Sequence, residues 1–329
     1  MIQAFLYDAN GEDREIDLGP GVTDTLSEQH ILWADVGAPD AEDMRRLIAA
    51  FDLTPQCVAG LTRPRIAFAL DNYADYFHCD LFAVLPHAEA KGRLPRTAKA
   101  SRLDFVVAPQ WLITLHADDV PFLQEFRDQD KAETLIGGLT GPQVAASLLD
   151  WHLESFLGAL EDVELYTDAL DARILSRTRV REALLGDVVL GRRYVSSLRR
   201  MLGPQRSIFY GVSRPDFTQI ANTEAAVHFQ ALERRFERTL DAIEHGRELM
   251  QSSFDLFTTR TAETTNMLIR RLTFLSVLLG ATAAVAGLLG MDFKPPFSSG
   301  GGIAFWIVVG TLASLTAGAV TVGRLRKWI

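Results

Sequence analysis

Between Arg271 and Asp292 the chain carries no charged side chain, and Leu272 to Met291 is 20 residues long. A helix of that length covers about 30 Å, the thickness of a bilayer's hydrocarbon core. A second stretch follows closely: Ile303 to Val322 is again 20 residues without charge, closed by Arg324, Arg326 and Lys327. Two buried core helices of a soluble protein are the alternative, but such helices rarely run this long without charge. Arg270 and Arg271 flank the first stretch and the basic triplet the second, whereas the segment between them holds only Asp292 and Lys294. That asymmetry predicts two membrane spans with both termini cytoplasmic. Trp306 and Trp328 fall where interfacial anchors are expected.

The remainder reads as a cytoplasmic, acidic protein. There are 33 Lys and Arg against 42 Asp and Glu, a formal charge of −9, which argues against nucleic acid as a partner because phosphate binding needs a basic patch. With 48% apolar residues the chain is too hydrophobic for disorder. Two cysteines far apart, Cys57 and Cys79, cannot by themselves form a metal cage or a disulfide framework, and they suggest a reducing compartment. Met1 to Asp8 has no basic region leading into a long apolar core, so a signal peptide is not expected. No phosphate loop, nucleophile elbow or H-E-x-x-H motif occurs, which disfavours an enzyme or an ATP-driven pump. His78-Cys79-Asp80 contains zinc-ligand types, but neighbours on a strand point to opposite faces and a structural role is expected. His116 with Asp118 and Asp119 reads as a solvated strand end rather than a cation site.

The expected fold class is an α+β cytoplasmic domain followed by long helices and two C-terminal transmembrane helices. Strand character is seen at Ile31–Val36, Leu103–Val107 and Trp111–Leu115. Pro39-Asp40 opens a helix carrying Met44, Leu47, Ile48 and Phe51 at helical spacing. Gly137 to Pro142 is rich in turn residues and reads as a boundary. Helix formers dominate from there to Leu202, Gly203-Pro204 and Pro215 mark a break, and no proline occurs from Thr223 until Pro295. One helix of roughly 100 Å is therefore expected to run from cytoplasm into membrane. The expected division is residues 1–137 for the α/β domain, 138–271 for helices and stalk, 272–291 for the first span, 292–302 for an outer loop, 303–323 for the second span, and 324–329 for a basic tail.

On a seven-residue repeat the long helix presents two rows. One holds Asp241, Glu248, Asp255, Ala262, Ile269, Ser276, Ala283 and Gly290; the other holds His245, Ser252, Thr259, Asn266, Thr273, Gly280 and Gly287. A coiled coil would place Leu, Ile or Val at these positions, yet Ile269 is the sole large hydrophobe. Symmetric copies of such a helix would enclose a water-filled channel lined by the stripe. Gly280, Ala283 and Gly287 could instead be a close helix-packing face, and the acidic row a solvated one. Against the second reading, Glu237–Asp241 and Glu244–Glu248 are like-charged i,i+4 pairs that cost a few tenths of a kcal/mol each unless a cation offsets them.

At the end of the first span stand Gly290-Met291-Asp292-Phe293 and then Lys294-Pro295-Pro296-Phe297. Here the chain resembles the CorA superfamily of divalent-cation transporters, whose hallmark is G-M-N at that place. Gly287, the uninterrupted preceding helix, Arg63-Pro64-Arg65, Leu202-Gly203-Pro204-Gln205-Arg206 and the ending Lys327-Trp328-Ile329 add to the likeness, and the last two look most like the superfamily's zinc-transporting branch. The resemblance implies a homopentamer in a bacterial inner membrane, with a cytoplasmic funnel of acidic rings at Asp241, Glu248 and Asp255. It implies a pore lined by the first span, from Asn266, Ile269, Thr273 and Ser276 through Gly280, Ala283 and Gly287 to Gly290, Met291 and Asp292. It further implies divalent cations as cargo, zinc ahead of magnesium, cobalt or nickel, which could also act as regulators, and no cofactor. A non-conducting scaffold or sensor is the competing reading. Asp292 departs from the family's Asn and puts one formal charge per subunit into a ring that would otherwise be neutral, making Asp292 a candidate metal ligand; such carboxylates titrate as a coupled set.

Overall fold

A computed structural model of the chain describes residues 1–10, 13–27, 29–63, 68–86, 93–130, 136–176, 182–290 and 302–325. The elements are β1 (Ile2–Asp8), β2 (Arg14–Glu15), β3 (His30–Gly37), α1 (Ala41–Phe51), α2 (Pro55–Thr62), β4 (Leu70–Asn72), β5 (Phe77–Leu85), β6 (Lys99–Val107), β7 (Trp111–His116), α3 (Pro121–Asp130), α4 (Gly141–Ser176), α5 (Glu182–Leu202), α6 (Arg206–Ser213), α7 (Thr218–Ala221), α8 (Ala225–Gly290) and α9 (Gly302–Leu325). The three predicted strands are β3, β6 and β7. The predicted helix is α1, opened by a reciprocal capping box in which Asp40 accepts from the backbone of Glu42 and Asp43 while Asp43 accepts from that of Asp40.

The strands form one sheet in the order β2-β1-β3-β7-β6-β5-β4, antiparallel except where β3 pairs in parallel with β7. Along β3 and β7 every residue from Ile31 to Val36 and from Trp111 to His116 is buried, which means that both faces of the sheet are covered. Leu32, Ala34, Val36, Ile113 and Leu115 share one core with Leu47, Ala50 and Phe51 of α1 and Cys57 of α2. The opposite face receives the helices, with Phe126 of α3 edge-on to Trp33 and to Trp151 of α4.

The described residues form two compact units. One comprises Met1–Asp171 with Leu185–Ser253; the other comprises Ala172–Leu184 with Phe254–Ile329. Within the first, the turn-rich stretch after Ile136 is close-packed. A Cβ on Gly137 would lie 2.1 Å from the backbone of Asp8, and one on Gly141 would lie 2.0 Å from the carbonyl of Ala108. Those glycines let the start of α4 approach the sheet, so sheet and helices share a unit.

A polar link ties helices to sheet at the break after α5. Gln205, fully buried, donates its amide to the carbonyls of Phe82 and Met201 and accepts from His152 Nε2 at 3.0 Å. His152 sits among Phe122, Phe156 and Phe209, where burial pulls its pKa down from 6.5 to about 4 despite the Gln205 hydrogen bond. A depressed histidine pKa favours the folded state above the unfolded value and is lost as pH falls through the folded one, so the window is pH 6.5 down to 4. Over that window wild type should lose about 3 kcal/mol of stability that the His152→Gln variant keeps, at roughly 1.4 kcal/mol per pKa unit. Urea unfolding of both proteins at pH 7 and pH 4.5 checks this; equal pH dependence in the two would show that His152 titrates normally.

Candidate functional site

Helix α8 runs for 66 residues without interruption, as the absence of proline predicts. In the first compact unit its inward side is a seam spaced alternately by four and three: Ala225, Phe229, Leu232, Phe236, Thr239, Ile243, Gly246, Met250 and Ser253, all buried. Phe236 stacks on Phe209 of α6 with ring centroids 4.7 Å apart. A Cβ on Gly246 would lie 2.5 Å from Leu160 of α4, and one on Gly191 of α5 would lie 2.2 Å from the sulfur of Met250. The seam is thus packed against the protein's own helices.

Asp241, His245, Glu248, Ser252 and Asp255 are exposed on the same helix. With 3.6 residues per turn, the midline of their two rows lies about 160° around the axis from the midline of the seam. The polar stripe therefore faces away from the core that fixes the helix. Farther along, Thr259, Ala262, Asn266, Ile269, Thr273, Ser276, Gly280, Ala283 and Gly287 are exposed as well. A Cβ added at Gly280 or Gly287 would meet nothing within 4 Å, so packing within this chain does not require glycine there. Gly290 is the last residue of α8, and Met291 and Asp292 lie outside the described residues.

The like-charged pairs are offset within the chain. Arg206 binds Glu237 through Nε at 2.8 Å and through a second guanidinium nitrogen, and Glu244 lies 2.9 Å from both Arg199 and Arg247. Both carboxylates lean off the stripe toward arginines, which removes the electrostatic objection to a solvated acidic face. His245 lies 3.6 Å from Glu248 on the stripe itself.

Neither smaller constellation is a metal site as first grouped. His116 is buried, not solvated: its Nε2 lies 3.2 Å from Asp35 and its Nδ1 lies 2.6 Å from the carbonyl of Asp118. Burial lowers its pKa, but the hydrogen bond and charge of Asp35 outweigh this and leave it raised. Cys79 is buried with its thiol pushed up by desolvation, while His78 and Asp80 point to the other face of β5. Among the described residues no three His, Cys, Asp or Glu side chains surround one point.

Of the described helices, α8 alone is long and apolar enough to cross a membrane, and its apolar window is unburied; described side chains of α9 make a shorter apolar run, Val309–Leu325. Sequence reasoning followed the polar rows and missed the seam, although Phe229, Leu232, Phe236, Ile243 and Met250 carry its spacing openly.

Residues 28–322 match the model of the CorA-like Mg2+ transporter protein family, and the chain belongs to that family, whose members are integral membrane transporters and not enzymes. A Schizosaccharomyces pombe protein named for metal-ion transport is 25% identical over 318 residues, covering 90% of this chain; the chain spans half the length of that relative. The CorA magnesium transporter of Methanocaldococcus jannaschii has the same fold, with TM-score 0.77, 15% identity, and coverage of 100% of this chain and 99% of its own. The ZntB cytoplasmic domain of Vibrio parahaemolyticus is similar in fold, with TM-score 0.55, 14% identity, and coverage of 80% of this chain and 99% of that one.

Seam and stripe respond oppositely to mutation. Phe236→Ala should cost about 3–5 kcal/mol of unfolding free energy, the cost of a cavity in a packed core. Asp241→Asn should change stability by less than about 0.5 kcal/mol. Chemical denaturation of both variants checks the assignment of faces.

Proposed function

We propose that this chain transports divalent cations across a membrane through a pore that copies of α8 line with the polar stripe. The observation that carries the proposal is the row of Asp241, His245, Glu248 and Ser252 exposed on the side of α8 turned away from its buried seam, a row whose seven-residue repeat continues in sequence through polar and small residues to Gly287. Family membership supports transport, and the unfilled space at Gly280 and Gly287 supports a role for small residues beyond this chain's own packing. On this reading 272–291 and 303–323 cross the bilayer, both termini are cytoplasmic, five copies surround the axis, and the membrane is a bacterial inner membrane. Successive acidic residues stand a heptad apart, about 10 Å along the axis, so they concentrate cations as rings rather than chelate them.

Ion choice rests on Asp292. A carboxylate ring attracts a divalent ion more strongly than an amide ring, and zinc accepts carboxylate oxygen while magnesium keeps its waters. The zinc preference proposed here has that single residue behind it, whereas the relatives' names favour magnesium. Cation-dependent flux into proteoliposomes is the test. Flux should be present for zinc and magnesium, and its absence for every divalent ion would leave a scaffold or sensor.

Two variants sharpen this. Asp292→Asn should shift relative flux from zinc toward magnesium severalfold and flatten the pH profile between mildly acid and neutral conditions; identical selectivity and profile in both proteins would remove Asp292 from the permeation path. Ile269, 54% exposed and the sole bulky apolar residue of the stripe, is proposed as a dewetting constriction, and Ile269→Gly should raise basal flux several-fold.

A further inference from the structure

His116 closes strand β7 beside Asp35 and Thr114, all three buried. Each of its ring nitrogens meets an acceptor. Nδ1 lies 2.6 Å from the carbonyl oxygen of Asp118, and a carbonyl only accepts, so Nδ1 carries a hydrogen. Nε2 lies 3.2 Å from Asp35 Oδ1. That oxygen already accepts from the Thr114 hydroxyl at 2.6 Å, because Thr114 Oγ1 itself accepts from Trp33 Nε1, which can only donate. The other carboxylate oxygen of Asp35 faces Arg127 at 3.4 Å. Asp35 is therefore an acceptor at both ends, and Nε2 carries a hydrogen too. The contacts are complete only with the ring as an imidazolium.

The charged groups around the ring come from several elements. β3 supplies Asp35, and the connection from β7 to α3 supplies Asp118 and Asp119. α3 supplies Arg127, the opposing charge, which is turned onto Asp35 and onto Gln3 of β1. β6 presents Leu103 directly opposite His116, and Ser101, whose hydroxyl accepts from the Asp118 amide at 3.1 Å. Burial lowers the ring's pKa, but the hydrogen bond and charge of Asp35, the Asp118 carbonyl and the charge of Asp119 outweigh it and leave the value above the ordinary 6.5. On the β3 side a Cβ at Gly37 would lie 3.3 Å from His116 Cε1, so the glycine leaves the ring just enough room.

We propose that His116 is a pH-sensitive latch between the sheet and the β7–α3 connection: as an imidazolium it ties the Asp118 carbonyl to Asp35, and on losing one proton it releases the connection. A carboxylate holds a donated hydrogen more strongly than a neutral carbonyl does, so Nδ1 is the nitrogen that gives up its proton. Its lone pair then faces the lone pairs of the Asp118 carbonyl at a distance suited only to a hydrogen bond, and the two separate. Ala117, Asp118 and Asp119 are exposed, which gives the connection room to move. A histidine whose pKa is raised by folding stabilises the folded arrangement below the unfolded value of 6.5 and ceases to do so as pH rises through the folded one. The latch is thus shut in mild acid and opens toward alkaline pH. It lies in the sheet, so it stands or falls independently of the pore assignment.

Hydrogen exchange of the full chain in detergent, read by mass spectrometry from about pH 6 to about pH 9 and corrected for the chemical rise of exchange with pH, tests this. In the segment Ala117–Leu123 the Asp118 and Leu123 amides donate to Ser101 Oγ and to the Val120 carbonyl. Its protection should fall about tenfold across a single one-proton step, the size of one hydrogen bond to a charged group, while that of Val144–Asp150 in α4 should not change. His116→Gln should lack the step. Asp119→Asn, at an exposed position, should keep the fold and the step but move the midpoint to lower pH. A flat profile in the wild type, the same step in His116→Gln, or an unmoved midpoint in Asp119→Asn would each overturn the latch.

Discussion

Everything proposed for α8 depends on the way its first half is seated. Phe229, Phe236, Ile243 and Met250 are fully buried against α4, α5 and α6, and each such side chain contributes about 1.5–3 kcal/mol by leaving water. A rotation of the helix by even one residue would carry that row out of the core and bring in Glu237 and Glu244 in one direction, or His245 and Ser252 in the other. The seam therefore determines which residues face outward. Because no proline breaks the helix before Gly290, the same seven-residue repeat continues in sequence beyond the seam, to Gly287. Seam and stripe are two readings of one heptad, the first apolar and satisfied within the chain, the second polar and left exposed.

Charge is handled differently in the two places. On the stripe side of α8, Glu237 and Glu244 lean onto Arg206, Arg199 and Arg247, exposed pairs that individually contribute little. In the sheet, Asp35 and Asp104 are buried and well partnered: Asp35 accepts from Thr114 and His116 and is ion-paired with Arg127, and Asp104 accepts from His78 and Arg102. Removing one partner there would strand a buried charge, which is far more costly than losing a surface pair.

How much of this was legible in the sequence follows from the same physics. Strands β3 and β7 and helix α1 were readable because their apolar residues sit at the periods their elements require. Strand β5 was not: His78 and Asp80 interrupt its apolar run, and partners distant in sequence, among them Asp71, Asp104 and Arg102, make their burial tolerable. The parallel pairing of β3 with β7 joins segments some 80 residues apart and leaves no local signal. The close approach of Gly137 and Gly141 was not legible, because a glycine kept for close approach and one kept for a turn are the same letter. The stripe was visible as composition, but its orientation required the seam.

Cysteine scanning tests the pore assignment most directly. The native thiols Cys57 and Cys79 are buried, their pKa values pushed up by desolvation, so they offer a quiet background to a water-soluble thiol reagent. Single cysteines placed from Thr273 to Gly287 should make cation flux in proteoliposomes sensitive to the reagent at Thr273, Ser276, Gly280, Ala283 and Gly287, and leave it insensitive at Leu275, Val277 and Leu279 between them. Block without that three-and-four periodicity, or block centred on the intervening residues, would contradict a pore lined by the stripe.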